Sequence, residues 1–284
     1  MVPAKAAATG GRAGRIHDLS LGSPIRATLR LAGYFLFTLF AVPVQAVLLR
    51  TSRTGRERFP QWYHRQCCRI LSFQVQVIGE VSSVRPTLFV CNHTSYLDIT
   101  VLGSLVPGSF VAKSEVARWP FFGSLAKLQR TIFVDRRRHT THTQRDELRR
   151  RLDEGGHVVL FPEGTSNDGN RTLPFRSALF SVAEPRQQAG EAGPVAELTV
   201  QPVSIAYVRL NGLPIGHGLR PLFAWYGDMD LFAHLVSLAG LGALTVRVEF
   251  HPQVPFSRFG SRKALSEHCH RAVAEGVDRA IRGK

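Results

Sequence analysis

Acidic residues and cysteines are both scarce in this chain. Its 284 residues carry 21 Asp and Glu against 36 Lys and Arg, a formal net charge of +15 at pH 7. A surplus of that size favours a polyanionic partner: nucleic acid, anionic lipid, or an acidic carrier or cofactor. The four cysteines, Cys67, Cys68, Cys91 and Cys269, include one adjacent pair and no C-x-x-C spacing. That argues against a disulfide framework and against a zinc site, and a reducing, cytoplasmic setting is the expectation. No G-x-S-x-G nucleophile elbow is present. Zinc, KH and RNP signatures are also missing, and the basic residues are not interleaved with aromatics as a stacking platform, so nucleic acid is not the expected partner. Internal repeats and a clear second-domain boundary are lacking too. The length then fits one large domain with an appendage.

Charge itself is missing from one stretch. Residues 31–49, LAGYFLFTLFAVPVQAVLL, hold no charged side chain, and as a helix they would measure roughly 28 Å, just enough for a bilayer core. Arg26 and Arg30 precede this run and Arg50, Arg53, Arg56 and Arg58 follow it, so a single crossing would set basic residues at both ends. With Pro43 inside, the run reads as a kinked, shallow or re-entrant insertion. A signal peptide ending near Val44-Gln45-Ala46 and a buried soluble helix are the other readings. Residues 1–24 form a basic tail expected to be disordered, and residues 25–58 the membrane-anchoring segment.

Strand-like runs occupy residues 73–78, 87–91, 109–112, 131–134, 158–161, 200–207 and 245–250. Helical stretches intervene at 61–70, 98–105, 119–128, 140–152, 177–183 and 231–244, and residues 261–281 close the chain as an amphipathic helix. Such alternation predicts an α/β fold: a single domain whose mixed, partly parallel sheet is flanked by helices, plus the N-terminal membrane-associated helix.

Two loop signatures follow apolar strands. The first is Asn92-His93-Thr94-Ser95-Tyr96-Leu97-Asp98 after TLFVC; the second is Phe161-Pro162-Glu163-Gly164-Thr165 after HVVL. With His93 at a strand end and Asp98 in the first turns of the next helix, five residues bring the carboxylate to the imidazole. That contact makes a general base with an orienting partner, whose nucleophile would belong to the substrate. Alone, Asn92, His93 and Asp98 could equally cap a helix. Residues 131–136 (TIFVDR) end on Arg136, a guanidinium suited to phosphate. The run continues to Arg151 with most of its arginines expected to face water or membrane. Residues 200–207 (VQPVSIAY) form a strand entered through Pro202, and Lys113 follows a further strand.

Taken in order, these four blocks resemble the glycerolipid acyltransferase family, that is, 1-acyl-sn-glycerol-3-phosphate acyltransferases and bacterial lysophospholipid acyltransferases. The resemblance covers residues 87–207 and implies an acyltransferase domain over 59–284. It implies transfer of a fatty acyl group from acyl-CoA or an acidic acyl-carrier protein to a lysolipid hydroxyl, in phospholipid biosynthesis at the cytoplasmic side of a bacterial inner membrane. No bound cofactor or metal is expected, since the thioester is already activated. His93 and Asp98 would be catalytic. Arg136 and Lys113 would hold anionic groups, and Glu163, Gly164 and Thr165 the glycerol portion of the acceptor.

One departure concerns the acceptor. Many phosphate-accepting members continue the third block with arginine, whereas Thr165 is followed here by Ser166-Asn167-Asp168-Gly169-Asn170-Arg171. Either Arg171 folds back as the missing cation, or the acceptor is zwitterionic, such as a lyso-ornithine lipid. The leading expectation is 1-acylglycerol-3-phosphate giving phosphatidic acid; lyso-ornithine lipid or another lysophospholipid is the alternative. A non-catalytic, basic membrane-binding protein is the reading from another class.

Overall fold

The computed structural model describes residues 22–134, 141–184 and 198–283. The expected tail, as far as residue 21, and Arg136 lie outside the described residues.

Two helices lead into the sheet domain, α1 (Pro24–Thr51) and α2 (Arg53–Ile70). Ser23 and Ser52 cap them, each accepting from a backbone N–H of the first turn. Strands β1 (Phe73–Ile78) and β2 (Thr87–Cys91) follow, then α3 (Leu97–Leu105), β3 (Gly108–Lys113), α4 (Phe122–Leu128), β4 (Ile132–Val134), α5 (Thr141–Asp153) and β5 (His157–Leu160). The second half holds β6 (Thr199–Leu210), β7 (Leu213–Pro214), α6 (Leu231–Gly240), β8 (Leu244–Phe250), β9 (Val254–Pro255) and α7 (Arg262–Ile281).

The sheet runs in the order β1-β8-β6-β2-β5-β3-β4, with β7 and β9 paired to β6. Strands β6, β2, β5, β3 and β4 are mutually parallel, as are β1 and β8, and the β6–β8 pair is antiparallel. Both central strands, β2 and β5, are buried at every residue, as expected of parallel strands covered on two faces. Alternation along β2 sends Phe89 and Cys91 into the layer that includes Val101 and Leu102 of α3. Leu88 and Val90 enter the opposite layer, with Leu148 and Leu152 of α5 and Leu265 and Cys269 of α7. The carboxyl ends of β2, β5, β3 and β4 therefore share one edge, where open α/β sheets bind ligands.

Helix α1 is long and apolar enough to cross a membrane by length and composition, and it runs unbroken through Pro43. It is fastened to the sheet domain at both ends. The Arg30 guanidinium donates to the Ala239 and Leu241 carbonyls and to Ser72 Oγ. Fifteen residues on, Gln45 Nε2 donates to the carbonyls of Arg56 and Leu128. Its outer face is exposed, with Ile25, Leu29, Leu36, Leu39, Phe40, Val44 and Val47 uncovered, which sets aside the buried soluble helix.

Three further expectations change. The helix expected over 119–128 is shortened: a separate 3-10 turn over Ser114–Arg118 precedes it, Trp119 is extended, and α4 starts only at Phe122. Pro120 accounts for this by disfavouring helical backbone at the residue before it. Residues Ser177–Ala183 form a 3-10 rather than an α-helix. The stretch 231–244 splits at Gly240, since Gly240 and Gly242 break the helix and Leu244 already belongs to β8. Among the later arginines, Arg151 is buried on Ser109 Oγ at 2.7 Å, and Arg149 reaches the Val182 and Glu184 carbonyls; only Arg150 of these three is exposed.

Candidate active site

Past the end of β2, the Asn92 amide extends the sheet by one rung. Its Nδ2 donates to Ile205 O and its Oδ1 accepts from Ile205 N, both at 2.9 Å. That clamp fixes the start of the loop, and His93 follows with its side chain 22% exposed. Asp98, in the first turn of α3, is fully buried. Its Oδ2 accepts from His93 Nδ1 at 2.9 Å, Thr94 N at 2.7 Å and Ser95 N at 2.9 Å. Its Oδ1 accepts from the Tyr207 hydroxyl at 2.6 Å. One carboxylate thus both fixes the loop before α3 and orients the histidine. With Nδ1–H committed to Asp98, His93 Nε2 is left as the proton acceptor, a tautomer assigned from these partners.

Glu163 follows β5, the parallel neighbour of β2. Its Oε1 accepts from His93 N at 3.2 Å and its Oε2 from Asn167 Nδ2 at 2.7 Å. Asn167 returns to the same loop, donating from N and from Nδ2 to His93 O. Burial is the main cause that raises the Glu163 carboxyl to about 8; the Asn167, His93 and Leu173 contacts oppose it, and the charge of Asp98 adds to it. Gly164 is left-handed (φ 70°), and a Cβ there would meet the Arg176 guanidinium at 3.1 Å, so glycine is required on both counts. Phe161 stacks on the His93 ring with centroids 4.1 Å apart, and Phe110 stacks behind Phe161.

Phe110 also lines an apolar cavity of about 180 Å³. Its wall includes Tyr34, Tyr63, Leu97, Phe122 and Leu128, from α1, α2, α3 and α4. The cavity thus lies between the N-terminal helices and the sheet, and two stacked rings, Phe110 and Phe161, link its wall to the histidine.

The structure brings His93, Asp98, Glu163 and Gly164 together. Thr165 is exposed beside them. Lys113 ends β3, two strands from β2, roughly 10 Å away along the sheet, and is exposed. Arg171 is also exposed, and the cation lying over the third block is Arg176. Sequence reasoning missed Phe161 as a stacking partner, Asn167, Arg176, Tyr207 and Trp225, whose backbone N–H donates to Thr94 O at 3.0 Å. Tyr207 closed the fourth block in sequence, yet nothing in that string shows that its hydroxyl meets Asp98. Among the described residues no cluster of His, Cys, Asp or Glu is arranged to hold a metal ion.

The candidate site is thus a strand-end histidine held by a buried aspartate beside an apolar cavity. The chain belongs to the acyltransferase family, whose model matches residues 73–206. It is 41% identical to a lyso-ornithine lipid O-acyltransferase of Brucella abortus over 92% of this chain and 97% of that relative. A 1-acyl-sn-glycerol-3-phosphate acyltransferase of Neisseria meningitidis is 29% identical over 68% of this chain and 72% of its own length. The crystal structure of PlsC, the 1-acyl-sn-glycerophosphate acyltransferase of Thermotoga maritima, shares the fold with a TM-score of 0.62 at 20% identity, covering 89% of this chain and 94% of that one.

Proposed function

We propose that the protein transfers a fatty acyl group from an acyl thioester, acyl-CoA or acyl-carrier protein, to the free hydroxyl of lyso-ornithine lipid at a membrane surface. The observation that carries the chemistry is the 2.9 Å His93–Asp98 contact beside the apolar cavity. His93 Nε2 takes the hydroxyl proton as the oxygen attacks the thioester carbonyl. Asp98 stabilises the imidazolium that forms. The carbon–sulfur bond then breaks, and the thiolate leaves with the proton returned from His93. Glu163, Gly164 and Thr165 position the acceptor, and the cavity takes an alkyl chain. Arg136, Lys113 and Arg171 are assigned to anionic groups of acceptor or donor.

For the acceptor, the Brucella relative and the absence of arginine after Thr165 both favour the zwitterionic lipid over 1-acylglycerol-3-phosphate, the leading expectation from sequence. The exposed apolar face of α1 supports docking along the cytoplasmic side of the inner membrane rather than a perpendicular crossing, because α1 is fastened to the domain at both ends.

The test is transfer of radiolabelled acyl groups from acyl-CoA and acyl-carrier protein to lyso-ornithine lipid and lysophosphatidic acid, using purified protein in detergent micelles. Wild type should form ornithine lipid, and His93→Ala should lose about 10³-fold in kcat with the fold retained. Phosphatidic acid as sole product would overturn the acceptor. Transfer that survives in His93→Ala would remove the histidine from its role.

A further inference from the structure

The loop after the third block carries an acid, Asp168, three residues past Thr165. Asn167 bonds the His93 carbonyl through both its backbone and side-chain nitrogens, so Asp168 is one residue from direct contact with the base. Gly169 follows with φ 75°, and a Cβ there would stand 3.0 Å from Thr94 Cγ2 and 3.3 Å from Arg220 Cγ. The loop is therefore pressed against the residue next to His93.

Asp168 is half-buried. One oxygen accepts from Asn170 N at 3.1 Å and the other from Asn170 Nδ2 at 3.2 Å. That uses about half of the acceptor sites of a carboxylate, and among the described residues it forms no salt bridge. Arg220, 5% exposed, donates to Asn170 Oδ1 at 2.6 Å and to Ile215 O at 2.8 Å. The buried guanidinium thereby fixes the Asn170 amide with its NH₂ toward Asp168. The Tyr226 phenol lies within the field of the same carboxylate, which adds to burial in raising its pKa. A partly open carboxylate is the surrounding an ammonium group favours.

We propose that Asp168 is the counterion for the ammonium group of the acceptor and so sets the preference for a zwitterionic over a phosphate-bearing lysolipid. The inference rests on the acceptor proposed above. Attraction to an ammonium and repulsion of a phosphate act together here, the second being as important to selectivity as the first. The competing role for Asp168, balancing the charge of Arg220, makes no distinction between acceptors.

The experiment compares wild type, Asp168→Asn and Asp168→Ser on lyso-ornithine lipid and on the same lipid with its free amine acetylated. Serine keeps the hydroxyl that can cap the turn, so one variant is expected to fold if the other does not; melting curves verify this. Wild type should prefer the free amine by about 10- to 100-fold in kcat/KM, the span of a hydrogen bond to a charged group. Each variant should fall on lyso-ornithine lipid to the level of the acetylated lipid, leave the acetylated lipid unchanged, and keep the KM for acyl donor. An equal loss on both lipids, or an unchanged preference, would overturn the inference alone. A wild type that leaves lyso-ornithine lipid unacylated would overturn the acceptor reading and this inference with it.

Discussion

Asp98 sits among four donors with no access to water, and the strongest test of its environment is the donor most distant in sequence. Tyr207→Phe removes the 2.6 Å bond to Oδ1 and leaves the ring in place. Losing a buried hydrogen bond to a charged group costs about 1.5–3 kcal/mol, to be seen as a lower denaturant midpoint at unchanged m-value. Acyl transfer should fall at the same time, because the carboxylate that aligns His93 is held less firmly; full activity in a destabilised variant would confine Tyr207 to packing. Glu163 gives a pH signature. Its carboxyl is raised from 4.5 to about 8, so between those values the folded protein keeps a proton that the unfolded chain has released. Stability from this group is full below about 4.5 and declines as pH rises to about 8. Melting temperatures at pH 5 and pH 8 should therefore drop further in wild type than in Glu163→Gln. Parallel curves would show that Glu163 keeps its charge in the fold.

At the scale of elements, α1 combines an anchored inner side with an apolar outer face. Replacing Leu36, Leu39 and Phe40 together by serine should weaken partition onto phospholipid vesicles by about 10³-fold, given roughly 1.5 kcal/mol per buried side chain. Transfer to micellar acceptor should persist. Vesicle binding unchanged by the triple variant would place the docking face elsewhere. The sequence located this helix through its charge-free run and set the anchoring segment at residues 25–58, where the structure has α1 over Pro24–Thr51 and starts α2 at Arg53. Arg26 and Arg30 lie inside the helix because Gly240, Ala239 and Leu241 present carbonyls to them. The strands were legible because parallel central strands read as continuous apolar runs, and β1 and β2 match their expected limits at both ends. Short 3-10 segments such as Ser177–Ala183 were not, since their apolar residues serve a local packing need without helical length.

Across the whole molecule, the strand-end site and the cavity draw on different but overlapping segments of the sequence. The cavity needs α1 and α2 laid over α3, β3 and α4. Ala126 lines it, and Ala126→Phe should reduce kcat/KM for long acyl donors relative to short ones, by about fourfold for each methylene excluded. A uniform change across chain lengths would mean that the cavity does not receive the acyl group.

The sequence by itself determined the family, the layered α/β fold and the His93–Asp98 pair, because a strand end, a loop and a helix start separated by five residues leave the two side chains little choice but to meet. Only the tertiary structure decided which groups surround that pair. Parallel pairing of β2 with β5 and with β6 brings Glu163 to the His93 backbone and Tyr207 to Asp98, and the packing of the segment after β7 brings Arg220 and Trp225 against the Asp168 loop and Thr94. These contacts depend on strand register and on burial between layers, which spacing along the chain does not encode.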